Sequence, residues 1–327
     1  MEDHSRSNVS SPDALAQAML HFEQGEVRAA QAILAQLVSQ NQSATLETVP
    51  VEQRVRTLLQ YALVLALSGQ HEDAQNAIDA AQAIASATHG VESPLLVEMW
   101  NAAGVNHKLA GHFTASAVAY EQAMALLDRL GIPMPAYLLH NLAGLACALG
   151  DYACAEQLSQ QAIYALQTEQ IASSLDLAAD LVGLADALSG LHRPMEAESH
   201  YQRALRMYES TGNRDHPEVA SLLHNLADTL TDLGRLDEAI ALYEESIRRK
   251  QAAFGRLHPE IAASLHNVAQ VRWMQGRAKE SLDAIAQAVA LCDGLPPDHF
   301  VRAACVQLAD VLLPKNATEQ PMEPQSS

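Results

Sequence analysis

Three His-Asn dipeptides carry the most suggestive chemistry in this 327-residue chain: His140-Asn141, His224-Asn225 and His266-Asn267. The second and third are 42 residues apart, and the first lies 84 residues, two such steps, before the second. An Asn amide offers two donors and one acceptor, so it can bracket a peptide backbone without reading the side chains. The competing reading is that these Asn and His residues hydrogen-bond between neighbouring structural units. A metal site is not expected. Helices packed side by side put equivalent atoms on the order of 10 Å apart, whereas zinc ligands must all come within about 2.1 Å of one ion. Enzyme signatures are missing too: there is no GxSxG, no phosphate-binding Gly loop and no HExxH. No cofactor and no catalytic residue are expected.

The spacing of these dipeptides is the spacing of the chain. HPEVASLLHNLADTLTDLGRLDEAIALYEESI (216–247) and HPEIAASLHNVAQVRWMQGRAKESLDAIAQAV (258–289) follow one plan, offset by 42 residues. Each copy has a small residue in a first helix, Gly seven residues later, and a small residue five further on. The sets are Ala227, Gly234, Ala239 and Ala269, Gly276, Ser281. Upstream come Ala185, His192, Ala197; Ala143, Gly150, Ala155; and Gly104, Gly111, Ser116. Two divergent copies precede them, Ala62, Gly69, Ala74 and Ala18, Gly25, Ala30. Small residues let two helices approach closely, and the Gly ends the first helix because it takes a left-handed conformation at little cost. Apolar residues at helical spacing (Leu223, Leu226, Leu230, Leu233) are expected to make the buried stripe. Pro94, Pro133, Pro217 and Pro259 are expected to open first helices, and Pro194 a second one.

One such unit cannot bury its own apolar face, so a stacked array follows, with contacts between neighbours only. The expected fold class is all-α: a solenoid of about seven helical hairpins over 12–313. Residues 12–90 hold the divergent copies, 93–293 the clear ones, and 298–313 (FVRAACVQLADVLL at its core) a capping helix. Residues 1–11 and 314–327 read as disordered tails, and 41–50 (NQSATLETVP) as a linker or long loop.

Composition narrows the function classes. Hydrophobic content is 49 % but aromatics are only 4 %, so Ala-rich helix packing replaces a bulky core. The net charge of −19 favours solubility and disfavours nucleic acid and anionic membranes as partners. Residues 1–190 carry 6 basic and 20 acidic side chains. Cys147, Cys154, Cys292 and Cys305 show no CxxC spacing and read as reduced, packed thiols of a cytoplasmic protein. No signal peptide and no spanning helix are expected from the sequence.

Trp100-x-x-x-Gly104, Leu226-Ala227, Ala239-x-x-x-Tyr243 and Ala197-x-x-x-Tyr201-x-x-Ala204 resemble the tetratricopeptide repeat (TPR) family. The 42-residue period resembles its longer-helix, kinesin-light-chain-like subtype. The resemblance implies a right-handed superhelix whose first helices line a concave groove. It implies that Asn141, Asn225 and Asn267 face that groove with His140, His224 and His266 beside them. Tyr137, Asp186, Asp228, Gln270 and Trp273 are expected to line it too. The aspartates would favour a partner with basic side chains. Trp273 stands where other copies have Thr231, Ser189 and Cys147, and is either a recognition anchor or a cover over the apolar end of the stack. The positions flanking Asn141 and Asn225 carry His, Gly and Asp, so a carboxylate clamp built on Lys or Arg is not expected. The implied function is a non-catalytic scaffold for an extended peptide or partner protein. The alternative is assembly with copies of itself, or within a larger complex, through the convex or terminal faces. Oligomeric state is left open.

Overall fold

The computed structural model describes residues 11–43, 49–89, 92–169, 174–212, 214, 216–296 and 299–312. The expected tails, apart from Ser11, and residues 44–48 of the expected 41–50 linker lie outside these residues. Among the described residues there are fifteen α-helices and no strand. They run in sequential pairs: α1 (Ser11–Glu23) with α2 (Val27–Ser43), α3 (Val51–Leu67) with α4 (His71–His89), and α5 (Pro94–Leu109) with α6 (Phe113–Leu130). Then come α7 (Ala136–Ala148) with α8 (Tyr152–Glu169), α9 (Ser174–Gly190) with α10 (Pro194–Ser210), and α11 (Pro217–Asp232) with α12 (Leu236–Phe254). The last pair is α13 (Pro259–Met274) with α14 (Ala278–Leu291), followed by α15 (Phe300–Leu312). Seven hairpins and a final helix match the count read from the repeat. Two boundaries differ. Helix α2 runs to Ser43, into the segment expected to be loop, and Pro133 precedes α7 by three residues instead of opening it.

Every hairpin turn has one chemistry. Gly25, Gly69, Gly111, Gly150, Gly234 and Gly276 have φ between 74° and 79°. At Gly234 the glycine N–H donates to Thr231 O and the Arg235 N–H donates to Leu230 O, each at 2.9 Å. This pairing closes the last orphan carbonyls of the helix. His192 holds the glycine's place in the fifth hairpin with φ 58°, and the same two bonds form, to Ser189 O and Leu188 O. The conserved geometry thus survives the loss of its usual residue.

Two first helices, α11 and α13, open on a histidine cap as well as on a proline. His216 Nδ1 accepts from the Glu218 N–H at 3.3 Å, and His258 Nδ1 accepts from the Glu260 N–H at 3.4 Å. The His of each His-Pro-Glu is therefore an N-cap acceptor, a task more often given to Ser or Asp.

The chain forms two compact units, residues 1–256 and 257–327. In the first, α3, α5, α7, α9 and α11 touch in series, and the second helices pack behind them. The deepest large side chains include Tyr120, Tyr201, Tyr208, Tyr243, Met99 and Leu138. Small residues make room for them: a Cβ at Gly104 would overlap the ring of Tyr120. Exposed forks tie consecutive second helices: Arg193 pairs with Glu196 and Glu156, and Arg235 with Glu238 and Glu198.

The first unit departs from nearest-neighbour stacking in one place. Helix α2 also meets α12. Ala253 packs into the cluster of Ala18, Phe22, Val27 and Ala30, and Arg28 Nη2 donates to Phe254 O at 3.5 Å. Phe22 sits edge-on to His216, 5.7 Å between centroids, and His216 stacks on Tyr208 at 5.4 Å. The curvature of six hairpins brings the first of them back onto the sixth.

In the second unit α15 packs on both α13 and α14. Cys292 and Cys305 are buried, free and hydrogen-bonded to one another, and Cys305 Sγ lies 3.8 Å from Ala262 O.

Candidate functional site

The first helices α3, α5, α7, α9 and α11 of the first unit touch in series and form one wall, along which equivalent positions recur with the repeat. At one end an apolar pocket of about 240 Å³ is lined by Leu59, Ala62, Leu63, Ala66, Val105 and Tyr137, among others. Tyr137 is 42 % exposed at this pocket, and burial together with Glu98 pushes its hydroxyl up to about 12.

Further along, the wall is polar and already knitted together. Asn141 Nδ2 donates to Asn101 Oδ1 of the preceding hairpin at 2.8 Å. Asn225 Nδ2 donates to Asp186 Oδ1 of the preceding hairpin at 2.7 Å. Each bond uses one of the two amide N–H groups. His140 Nδ1 lies 2.7 Å from Asp180 Oδ1 on α9, so it links α7 to α9. His224 Nε2 is 3.5 Å from Asp228 Oδ2, yet it is no ion pair. Burial, reinforced by Lys250, takes the imidazole down to about 3.

The two aspartates border a cleft of about 400 Å³, shared with Cys147, Ser189, Tyr201 and Asn225. Asp186 accepts from the Tyr201 hydroxyl, and one repeat later Asp228 accepts from the Tyr243 hydroxyl. Burial raises the Asp186 pKa, opposed by its bonds from Tyr201 and Asn225 and by the nearby Lys108 and His140. Cys147 is pushed up to about 12 by burial and by Asp186, which makes it a thiol rather than a nucleophilic thiolate.

Lys108 escaped the sequence reading. It stands in the same column as Cys147, Ser189, Thr231 and Trp273, one repeat earlier. The structure carries this side chain across to α7, where a Cβ on Gly144 would lie 2.6 Å from Nζ. The expectation that Asn141 has no flanking cation holds along its own helix and fails across the packing of α5 on α7. The available signal was that Lys108 is the first lysine in the chain, with none following until Lys250.

In the second unit, His266 is half-buried with its Nδ1 lacking a hydrogen-bond partner, and burial lowers its pKa. Asn267 is half-buried, Gln270 is exposed, and Trp273 is 48 % exposed. Among the described residues no three metal-ligating side chains converge, and no helix is long and apolar enough to cross a membrane.

A stack of two-helix units with glycine-closed turns defines a helical-repeat solenoid. Residues 53–129, 135–210, 176–252 and 218–293 match the tetratricopeptide repeat model, and the chain belongs to that family. The fold is similar to that of a Rap protein complexed with Competence and Sporulation Factor: TM-score 0.64, 11 % identity, covering 92 % of this chain and 87 % of that one. It is similar to NprR in complex with its cognate peptide NprX: TM-score 0.63, 13 % identity, covering 95 % and 84 %. It also resembles aspartyl phosphate phosphatase F from Bacillus subtilis: TM-score 0.54, 14 % identity, covering 96 % and 82 %. No curated protein matches the sequence.

Proposed function

We propose that this chain is a non-catalytic scaffold that binds an extended peptide, or an extended segment of a partner protein, along its first helices. The observation that carries the reading is the inner wall of the first unit. Asn141 and Asn225 are each braced by the preceding hairpin and each keep an amide N–H and a carbonyl oxygen to offer a backbone. In this reading Asn267 contacts the ligand in the second unit, with His140, His224 and His266 setting the positions of their neighbouring amides. Asp186 and Asp228 select a basic side chain for the cleft they border. Tyr137 receives an apolar side chain, while Gln270 and Trp273 contact the ligand in the second unit. The similarity in fold to a Rap protein complexed with Competence and Sporulation Factor and to NprR in complex with its cognate peptide supports it. The 42-residue step supports the kinesin-light-chain-like subtype, and four free cysteines suit a cytoplasmic location.

The test is capture from native lysate on wild type beside Asn141/Asn225/Asn267→Ala, read by mass spectrometry, with circular dichroism to confirm equal helicity. A protein held by wild type and lost by the variant is the expected result. Equal recovery by both would remove the asparagines from the interface and favour the second reading, assembly through another face. That reading draws on a groove of about 680 Å³ between α4 and α6, lined by Met99, Trp100, Ala103 and the half-exposed Val118. Concentration-dependent sedimentation would support it, and a monomer at every concentration would count against it.

A further inference from the structure

The proposed peptide groove is not uniformly acidic. Its chemistry changes in order along the first unit: an apolar pocket beside Leu63 and Tyr137, then the Lys108 ammonium against Gly144, then the cleft of Asp186 and Asp228. Lys108 has no ion-pair partner within 4.0 Å among the described residues, although 20 acidic side chains lie between residues 1 and 190. Asp186, whose charge reaches Lys108 within the wall, accepts from the Tyr201 hydroxyl and the Asn225 amide on Oδ1 and makes no ion pair with the lysine. Asp180 is taken by His140. Gly144 matters here, since any side chain at that position would displace the ammonium. A lysine held in a wall without a carboxylate beside it is costly unless some other group completes it.

We propose that Lys108 is an acid-recognising station of the groove. It pairs with an Asp or Glu side chain of the bound peptide, flanked on one side by a basic residue that enters the Asp186–Asp228 cleft and on the other by an apolar residue that enters the Tyr137 pocket. The proposal rests on the groove reading above and adds the charge order of the ligand. Its physical basis is complementarity. An acidic partner alone would be repelled by the two aspartates, and a basic partner alone would leave Lys108 unanswered. The lowered pKa of Lys108, caused chiefly by burial and opposed by Cys147, Asp186 and Glu218, fits a cation that gains from an added negative charge. An internal side-chain carboxylate, rather than a chain terminus, fits a station with recognition chemistry on both sides of it.

The experiment is affinity selection from a randomised nonapeptide library, N-acetylated and C-amidated, on the immobilised full-length chain. Wild type, Lys108→Met, Lys108→Glu and Asp186→Asn are run in parallel, each checked for helicity and melting. Wild type should enrich Asp or Glu adjacent to Lys or Arg. Lys108→Glu should exchange the acidic preference for a basic one, and Asp186→Asn should lose only the basic preference. A synthetic peptide of the selected sequence should bind Lys108→Met about tenfold more weakly, and its affinity for that variant should depend less on salt. Lys108→Met is the fallback should Lys108→Glu not fold. Selection without an acidic preference, or one that Lys108→Met leaves unchanged, overturns the charge order while leaving the groove reading intact. Retention of no peptide at all overturns both.

Discussion

At the scale of residues, the wall depends on histidines that stay neutral. Burial lowers the pKa of His224, with Lys250 adding to it. Burial also lowers His216, opposed by Glu218 and Glu23, and it lowers His266. Each folded value lies below the unfolded value of about 6.5, so the unfolded chain binds more protons in the interval between. The stability contributed by the neutral rings is complete above about pH 6.5 and is lost as the pH falls from there toward the folded values. His216 has a second reason to fail: protonation of Nδ1 removes the acceptor that caps α11. The urea midpoint should therefore drop between about pH 7 and about pH 5, above most of the carboxylate range. Replacing His224 by Gln should flatten part of that slope. A midpoint that stays level over the same interval would show that these rings are as easily protonated folded as unfolded.

At the scale of elements, three glycines that look alike in the sequence have different physical roles. Gly234 has φ 75° and open space around its missing Cβ, so the cost of a side chain there lies in the backbone. Gly234→Val should destabilise by roughly 1 kcal/mol or more. Gly104 is helical and faces Tyr120, so Gly104→Ala should cost about 1–3 kcal/mol through overpacking despite the better helix propensity of Ala. Gly183 is helical too, but its Cβ would meet only Ser159 Oγ, at 3.5 Å, an ordinary contact. Gly183→Ala should stabilise by about 0.5–1 kcal/mol. His192→Gly, which relieves a non-glycine left-handed residue, should also stabilise, by roughly 0.5–1 kcal/mol. Thermal melts of the four variants check the signs, and a stabilising Gly104→Ala would mean that the Tyr120 ring can move aside.

At the scale of the whole molecule, the meeting of α2 with α12 changes how the first unit should come apart. A purely nearest-neighbour array would fray from its divergent first copies. Here the first hairpin is also held by Ala253, Phe254 and His216 of the sixth. Hydrogen exchange should therefore show α1 and α2 protected in the wild type. Phe22→Ala should strip that protection and also loosen the start of α11, while α7 to α9 keep theirs. Protection lost in α1 and α2 alone would mean that the contact with α12 contributes nothing to the sixth hairpin.

What was legible in the sequence was whatever repeats. The hairpin count, the left-handed turns and the closely packed small residues follow from a 42-residue period, because each is decided within one unit or between adjacent ones. That period marks even His192, which has φ 58°, as a turn residue. The columns of His140, Asn141, Asp186 and Asn225 were legible for the same reason, but their partners were not. Asn101 beneath Asn141 breaks the His-Asn pattern, and nothing in the period records that Asn225 donates to Asp186. Tertiary structure alone decided two things. It carried Lys108 across to Gly144, since a long side chain belongs to the column where it ends and not to the one where it starts. It also brought α2 back to α12, because small rotations between hairpins add up over six repeats, and no pairwise pattern in the sequence records their sum.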